Sequence, residues 1–282
     1  MPQRFPIVIN CRDRLKSLAE LVAWLERADQ GPILLVDNDS TYPPLLDYFE
    51  RTPHEVIRLG RNGGPYAPWT SGVVAERLAG RWYASTDPDI VPDEGCPLDA
   101  LVFFHDVLQR YPAYPKAGFG LRIDDLPDHY RFAAEVRNWE RRFWANALEP
   151  GLYAAPIDTT FALYRPGVGF QIDSAIRTGE PYTARHTAWY TNSENPSDEE
   201  RWYRTRAQPE ANNWNREELP EWLAEAVERI RATGDPRPRP EPPRAAEPPS
   251  TSQPVPELKR APENGPPARP GARRRLRAWL HR

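Results

Sequence analysis

What most constrains this sequence is an alternation, repeated along its N-terminal third, between short apolar runs and stretches of helical period. Residues 5–9 read as a strand that ends at Asn10-Cys11-Arg12. Asp13 follows as an expected helix cap, ahead of Leu15, Leu18, Val22 and Leu25 at a 3.6 period, and the pattern stops at Gly31-Pro32. Residues 33–36 are wholly apolar, as strands covered on both faces are. Residues 56–59 and 82–85 read as two further strands, with Leu45-Leu46 and Val73-Val74 in the helical segments between them. Alternation at this spacing implies right-handed crossovers in an open, doubly wound, mostly parallel α/β sheet. Ligands of such sheets bind beyond the carboxyl ends of the strands, so the chemistry is expected there.

The 282 residues, 39% of them hydrophobic, suffice for one large core or two small ones. Cys11 and Cys96 are too few for a disulfide framework or a cysteine zinc site, which points to a reducing cytosol. Only Ile7-Val8-Ile9 stands where a secretory leader needs a long apolar region, so none is expected. No stretch approaches the roughly 18 to 20 apolar residues of a spanning helix. Composition breaks near Asp235. Residues 236–270 hold 13 of the 34 prolines and no aromatic residue, and are expected to be a disordered, partly polyproline-II linker. The formal charge is +7 from residue 236 onward and −10 before it.

Three successive strands end in carboxylates or a glycine turn: Asp37-Asn38-Asp39-Ser40, then Arg61-Asn62-Gly63-Gly64-Pro65, then Thr86-Asp87-Pro88-Asp89. Pro88 fixes its own φ and biases Asp87 away from helix, while residues two apart in an extended chain share a face. Carboxylates so placed repel each other unless a cation lies between them. Hard oxygen ligands suit Mg²⁺ or Mn²⁺, which commonly bridge to phosphate oxygens. For an isolated pair the simpler reading is an Asp-Pro turn with solvated acids; at the end of the fourth strand of an alternating sheet the metal reading prevails. Asp37, at a strand end, can accept from a ribose hydroxyl or a base N–H, whereas Asp39 and Ser40 also suit a helix N-cap. Arg61 can neutralise a phosphate, and Gly63-Gly64 either admits a ligand close to the backbone or simply turns the chain.

In this order, Pro6-Ile7-Val8-Ile9-Asn10, Leu35-Val36-Asp37-Asn38-Asp39-Ser40, Arg61-Asn62-Gly63-Gly64 and Thr86-Asp87-Pro88-Asp89-Ile90-Val91-Pro92 resemble the motifs of GT-A glycosyltransferases, in particular the family 2-like group. The resemblance covers about residues 5–95, with weaker similarity to about 192. It implies a GT-A fold, an open Rossmann-like sheet, with a nucleotide-binding half over about 1–95 and an acceptor half over 96–235. It further implies a nucleotide-diphosphate-sugar donor. Asp37 would contact the nucleoside, with Asp39, Arg61 and Asn62 as further donor-site candidates. Asp87 would meet the ribose or the metal, and Asp89 the divalent metal that neutralises the leaving diphosphate. A late histidine often joins the metal shell in such enzymes. His186, within Tyr182-Thr183-Ala184-Arg185-His186-Thr187-Ala188-Trp189-Tyr190, is the candidate, against the plainer reading of a structural histidine among aromatics.

The acceptor half departs from the family pattern, because the usual acidic pair followed by a basic residue is not plainly present. Asp124, Asp125, Glu140 and Asp158 are the candidate acids or bases. A general base must reach the acceptor hydroxyl, usually with a raised pKa. Asp158 precedes the apolar run 161–164, and Asp125 follows a strand-like stretch. Glu140 borders the stripe of Val136, Trp139 and Phe143 and can pair with Arg137 at the helix edge. Asp125 and Asp158 therefore rank above Glu140, and the choice between inversion and retention stays open. Gly118-Phe119-Gly120 lacks the third glycine of a dinucleotide loop, and no P-loop occurs. Leu219, Trp222, Leu223, Ala226, Val227 and Ile230 form one apolar face of a closing helix.

The expectation is a cytoplasmic, Mn²⁺- or Mg²⁺-dependent glycosyltransferase acting on a glycan or lipid-linked acceptor hydroxyl. One alternative is a nucleotidyltransferase, which should carry a glycine-rich, basic loop where this chain has Asn10-Cys11-Arg12-Asp13. The other is a non-catalytic carbohydrate- or partner-binding module. In residues 271–282, Leu276, Trp279 and Leu280 stand opposite Arg273, Arg274, Arg275 and Arg277. That pattern suits weak contact with an anionic membrane surface, with a solubilising or protein-binding tail as the alternative. The acidic body argues against nucleic acid as a partner.

Overall fold

Four short parallel strands carry the N-terminal half of the molecule. They are β1 (Ile7–Cys11), β2 (Ile33–Asp37), β3 (Glu55–Arg58) and β4 (Tyr83–Thr86), ordered β3-β2-β1-β4. Every residue of β1, β2 and β4 is buried, which is why their sequences read as unbroken apolar runs. β3 lies at the sheet edge, with its first and last residues exposed. Residues 3–208 and 214–233 are described by the computed structural model; the expected linker 236–270 and basic segment 271–282 lie outside them.

Between these strands lie α1 (Lys16–Arg27), α2 (Pro43–Arg51), and the short α3 (Ala67–Thr70) and α4 (Val73–Leu78). α1 buries Leu18, Leu21, Val22 and Leu25 against the sheet, the stripe that its periodicity marks. Its start differs from expectation. Asp13 does not cap the helix: it sits at φ 48°, and its carboxylate accepts from the backbone N–H groups of Thr41 and Tyr42 at 2.6 and 2.7 Å. The amides of Leu15 and Lys16 donate instead to Glu199, 184 and 183 residues away in sequence. No local pattern can reveal so remote a cap.

The remainder adds β5 (Ile90–Pro92), α5 (Ala100–Arg110), β6 (Lys116–Leu121), α6 (Ala133–Arg141), β7 (Ala147–Glu149), β8 (Leu152–Ala154), β9 (Ala162–Tyr164), β10 (Ile176–His186), α7 (Asp198–Arg204) and α8 (Glu221–Thr233). Among the described residues the strands join one mixed sheet, ordered β3-β2-β1-β4-β9-β6-β10-β8-β7, with β5 on β10. β9 runs antiparallel between β4 and β6, while β6 and β10 are parallel. The fold is thus α/β with a parallel, Rossmann-like centre and a mixed second half. α8 packs Leu223, Ala226 and Val227 on Trp139, Phe143 and Ala155, as its apolar face requires. Among the described residues no helix is long and apolar enough to cross a membrane.

The glycines of Gly118-Phe119-Gly120 serve strand packing. A Cβ on Gly118 would stand 2.0 Å from the Phe161 carbonyl oxygen, and one on Gly120 2.4 Å from that of Thr178. Backbone on both flanks leaves no room to yield. Gly118→Ala is therefore expected to destabilise the protein by about 3 kcal/mol or more, at the upper end of overpacking effects, read from urea denaturation of the purified variant.

Candidate functional site

The carboxyl ends of β1, β2 and β4 are neighbours in the sheet, so their following loops share one rim. The loop after β4 carries Asp87 and Asp89, and it is pinned on its far side because Thr187 N–H donates to the Asp89 carbonyl at 2.8 Å. Neither acid is splayed into solvent: Asp87 is half-buried, and the Asp89 side chain is only 13% exposed. Thr159 Oγ1 donates to Asp87 Oδ2 at 2.5 Å. Burial raises the Asp87 carboxyl well above the usual carboxylate range; the Asp89 charge adds to this, the Thr159 bond opposes it and Asp158 reinforces it. The Tyr203 phenol is likewise pushed up to about 12 by burial, with Arg14 opposing and then Asp89 and Asp87 adding. Both acids therefore act on one small region.

β2 leads into a different arrangement. Asp37 is buried; its Oδ1 accepts from Ser40 N–H at 2.8 Å and its Oδ2 from Arg58 at 3.2 Å. A carboxylate has about four lone-pair sites, so acceptor capacity remains. Asp39 adopts φ 65°, with its carboxylate 3.7 Å from Arg12. α2 begins at Pro43 without a side-chain cap, so neither Asp39 nor Ser40 serves as the N-cap that the sequence suggests. Asn38 does the bracing: its amide donates to Gly64 O at 2.8 Å and its Oδ1 accepts from Gly63 N–H at 2.7 Å. Asn62 Oδ1 accepts from Gly64 N–H at 2.9 Å, and Arg61 is exposed. The glycine pair is thereby a turn bolted to β2, with Gly64 at φ 76° where a side chain would strain the backbone.

Some buried polar atoms at this rim make no hydrogen bond. Asn10 Oδ1, Arg12 Nε and Arg14 Nε lie at and after the end of β1, and Thr160 Oγ1 lies beside the Thr159–Asp87 contact. His186 lies opposite Ile90 in the β5–β10 pairing, next to Asp89; its ring stacks on Trp189 at 4.6 Å and its Nδ1 is also unpartnered. Each such group costs about 1–3 kcal/mol if nothing satisfies it, and others lie away from the rim, at Trp144 Nε1 and Asn215 Oδ1 among them.

The acid–base candidates separate. Glu140 is not at a helix edge with Arg137: it is buried and paired with Arg177 at 2.7 Å, while Arg137 donates to the carbonyls of Ile123 and Leu126. Asp124 pairs with Arg122 at 2.9 Å. Asp125 accepts from Tyr190 Oη at 2.5 Å and lies 3.3 Å from Arg122, with its side chain 36% exposed. Asp158 is half-buried and adjoins Thr159, the partner of Asp87. A separate cleft of about 330 Å³ flanks α1, lined by Glu20, Trp24, Asp93 and Arg185 among others. Its Arg185 is already paired with Glu20 at 2.8 Å.

Sequence reasoning passed over Arg14, Glu200 and Lys116. Arg14 and Glu200 form a buried pair at 2.5 Å, with Arg14 stacked on Tyr203. Burial works against the Arg14 charge, but Glu200 and Asp89 more than offset it and hold the guanidinium above its ordinary range. Lys116 is fully buried under the Asp158 loop, donating to the carbonyls of Ile157 and Gln171 at 2.6 and 2.5 Å. Its being one of only three lysines in an arginine-rich chain was the one available signal. Among the described residues no three His, Cys, Asp or Glu side chains form a metal-holding cluster. Compared with protein-family models and with curated proteins, the chain matches none.

Burial lowers Lys116 to about 7. Between there and the ordinary lysine value of 10.5 the unfolded chain holds a proton that the folded chain lacks, so stability rises with pH across that window. Lys116→Met removes the group. The wild type should gain on this variant from pH 7 to pH 10, by up to about 1.4 kcal/mol per pH unit, in urea titrations at stepped pH.

Proposed function

We propose that this protein is a metal-dependent glycosyltransferase of GT-A type, moving a sugar from a nucleotide-diphosphate-sugar to an acceptor hydroxyl on a glycan or lipid-linked molecule. The observation that carries the reading is the half-buried Asp87–Asp89 pair beyond β4, where desolvation and mutual repulsion favour capture of a cation. Mg²⁺ and Mn²⁺ sites commonly use one or two protein carboxylates, with waters and substrate phosphates filling the remaining positions. The donor set therefore fits such an ion without a cluster of three side chains. Asp87 and Asp89 would hold it, with His186, whose buried Nδ1 has no hydrogen-bond partner, as the further candidate. Bound there, the ion would supply charge neutralisation to the departing diphosphate.

The other donor-site roles follow from placement. The rim formed by Asp37, Asn38 and the Gly63-Gly64 turn receives the nucleoside, and Asp39, Arg61 and Asn62 border it. Asp158 takes the base role ahead of Asp125, because its loop is tied to Asp87 through Thr159. Glu140 is committed to Arg177. A cytoplasmic setting accords with two buried, free cysteines. Nothing at the β1–α1 loop supplies the glycines that a nucleotidyltransferase needs.

A thermal-shift panel of nucleotide sugars with and without Mn²⁺ is expected to give stabilisation that requires both components. Asp89→Asn should keep its fold and lose about 100-fold or more in donor turnover. A panel in which no nucleotide shifts the melting temperature removes the donor site, and metal-dependent binding without turnover leaves a binding module.

A further inference from the structure

Arg14 occupies the loop between β1 and α1 with a side chain only 7% exposed. Its surroundings account for most of the guanidinium. Nη1 donates to Glu200 Oε2 at 2.5 Å, and the group lies over the Tyr203 ring, 3.9 Å from the centroid. Glu200, itself buried, is held from the other side by Arg204 Nε at 2.7 Å. Arg14 Nε is the exception. It faces Asp89 Oδ2 at 3.6 Å, beyond hydrogen-bond reach, and has no hydrogen-bond partner.

The arrangement fixes a charged group and leaves its Nε–H without a hydrogen bond. Stacking and the ion pair remove the rotational freedom that a long side chain would otherwise give up on binding. An N–H so buried is left unsatisfied only at a free-energy cost of about 1–3 kcal/mol, which an incoming acceptor would recover. The acceptor must be anionic or strongly polar, must fit beside Asp89, and must tolerate two carboxylates nearby. A phosphoryl oxygen on a metal-bound diphosphate meets all three conditions, since the metal offsets the acids while the guanidinium takes the remaining charge.

We propose that Arg14 is a ligand-binding residue of this site, its Nε–H accepted by a diphosphate oxygen beside Asp89, with Glu200 and Tyr203 of α7 as the residues that position it. The inference rests on the donor-site reading above and adds to it a charge supplied by the protein itself.

Arg14→Lys tests it, because lysine keeps a cation for Glu200 and removes the Nε–H. Calorimetric titration with magnesium pyrophosphate should show affinity about tenfold or more below wild type. The melting temperature of the free protein should stay within a few degrees. Glu200→Gln should weaken the same titration while leaving Nε in place. Equal pyrophosphate affinity in wild type and Arg14→Lys overturns the proposal, as does a wild type that does not bind magnesium pyrophosphate. In the unsubstituted protein, the Arg14 Nε–H resonance should move downfield on adding magnesium pyrophosphate, and a stationary resonance overturns the proposal without relying on any variant. A protein that binds pyrophosphate through Arg14 but never turns over a nucleotide sugar loses the transferase reading and keeps this one. Turnover that is indifferent to Arg14 does the reverse.

Discussion

Two carboxylates withdrawn from water at the end of one strand cannot both stay charged unless a positive partner joins them. That constraint organises the region beyond β4. Pro88 holds the two acids in an extended turn, Thr159 donates to one of them and Arg14 faces the other at 3.6 Å. None of these groups neutralises the pair by itself. A single neutral hydrogen bond contributes about 1 kcal/mol, too little against the desolvation of a carboxylate, and Asp87 retains a raised proton affinity despite it. Asp87 therefore holds a proton more readily than an ordinary carboxyl, and a bound cation would relieve the same cost.

The loop after β1 responds to the same field. Arg12 and Arg14 bring two cations to an otherwise acidic rim, and each is held by what lies across the sheet end. Arg12 donates to the carbonyls of Asn38 and Asp39 at 2.6 and 2.8 Å, and Arg14 to Glu200. α7 lies against this loop through several unlike contacts: Glu199 caps α1, Glu200 holds Arg14, and Trp202 Nε1 donates to Thr41 Oγ1 at 3.1 Å. Removing one member of a buried ion pair typically costs about 3–5 kcal/mol, because the other charge is left stranded. The N-terminal loops are thereby tied to a helix near residue 200.

The parallel half was legible because its signals are local. Fully buried strands such as Ile33–Asp37 show as apolar runs, and α1 shows its stripe at Leu18, Val22 and Leu25. Asp87 and Asp89 were legible for the same reason, since Pro88 fixes their relation within three residues. The second half was less so. β9 enters antiparallel between β4 and β6, a pairing set by contacts across the sheet. The helix cap at Glu199, the Glu140–Arg177 pair and the Arg14–Glu200 pair each join residues at least 37 apart, and no periodicity records such partners. Asn38 was overlooked between two aspartates, although its amide, unlike a carboxylate, can both donate to Gly64 O and accept from Gly63 N–H.

Under the proposed transfer, the choice of base would rest on the same electrostatics. Proton abstraction needs a carboxylate that is partly desolvated yet not already neutralised by a fixed cation. Glu140 fails the second condition, because Arg177 sits 2.7 Å from it in the interior. Asp125 is more open to water, and it already accepts from Tyr190 and lies 3.3 Å from Arg122. Asp158 is half-buried and adjoins Thr159, whose hydroxyl reaches Asp87. A loop that carries a base on one residue and a contact to the donor-site acid on the next would couple the arrival of donor to the placement of the base.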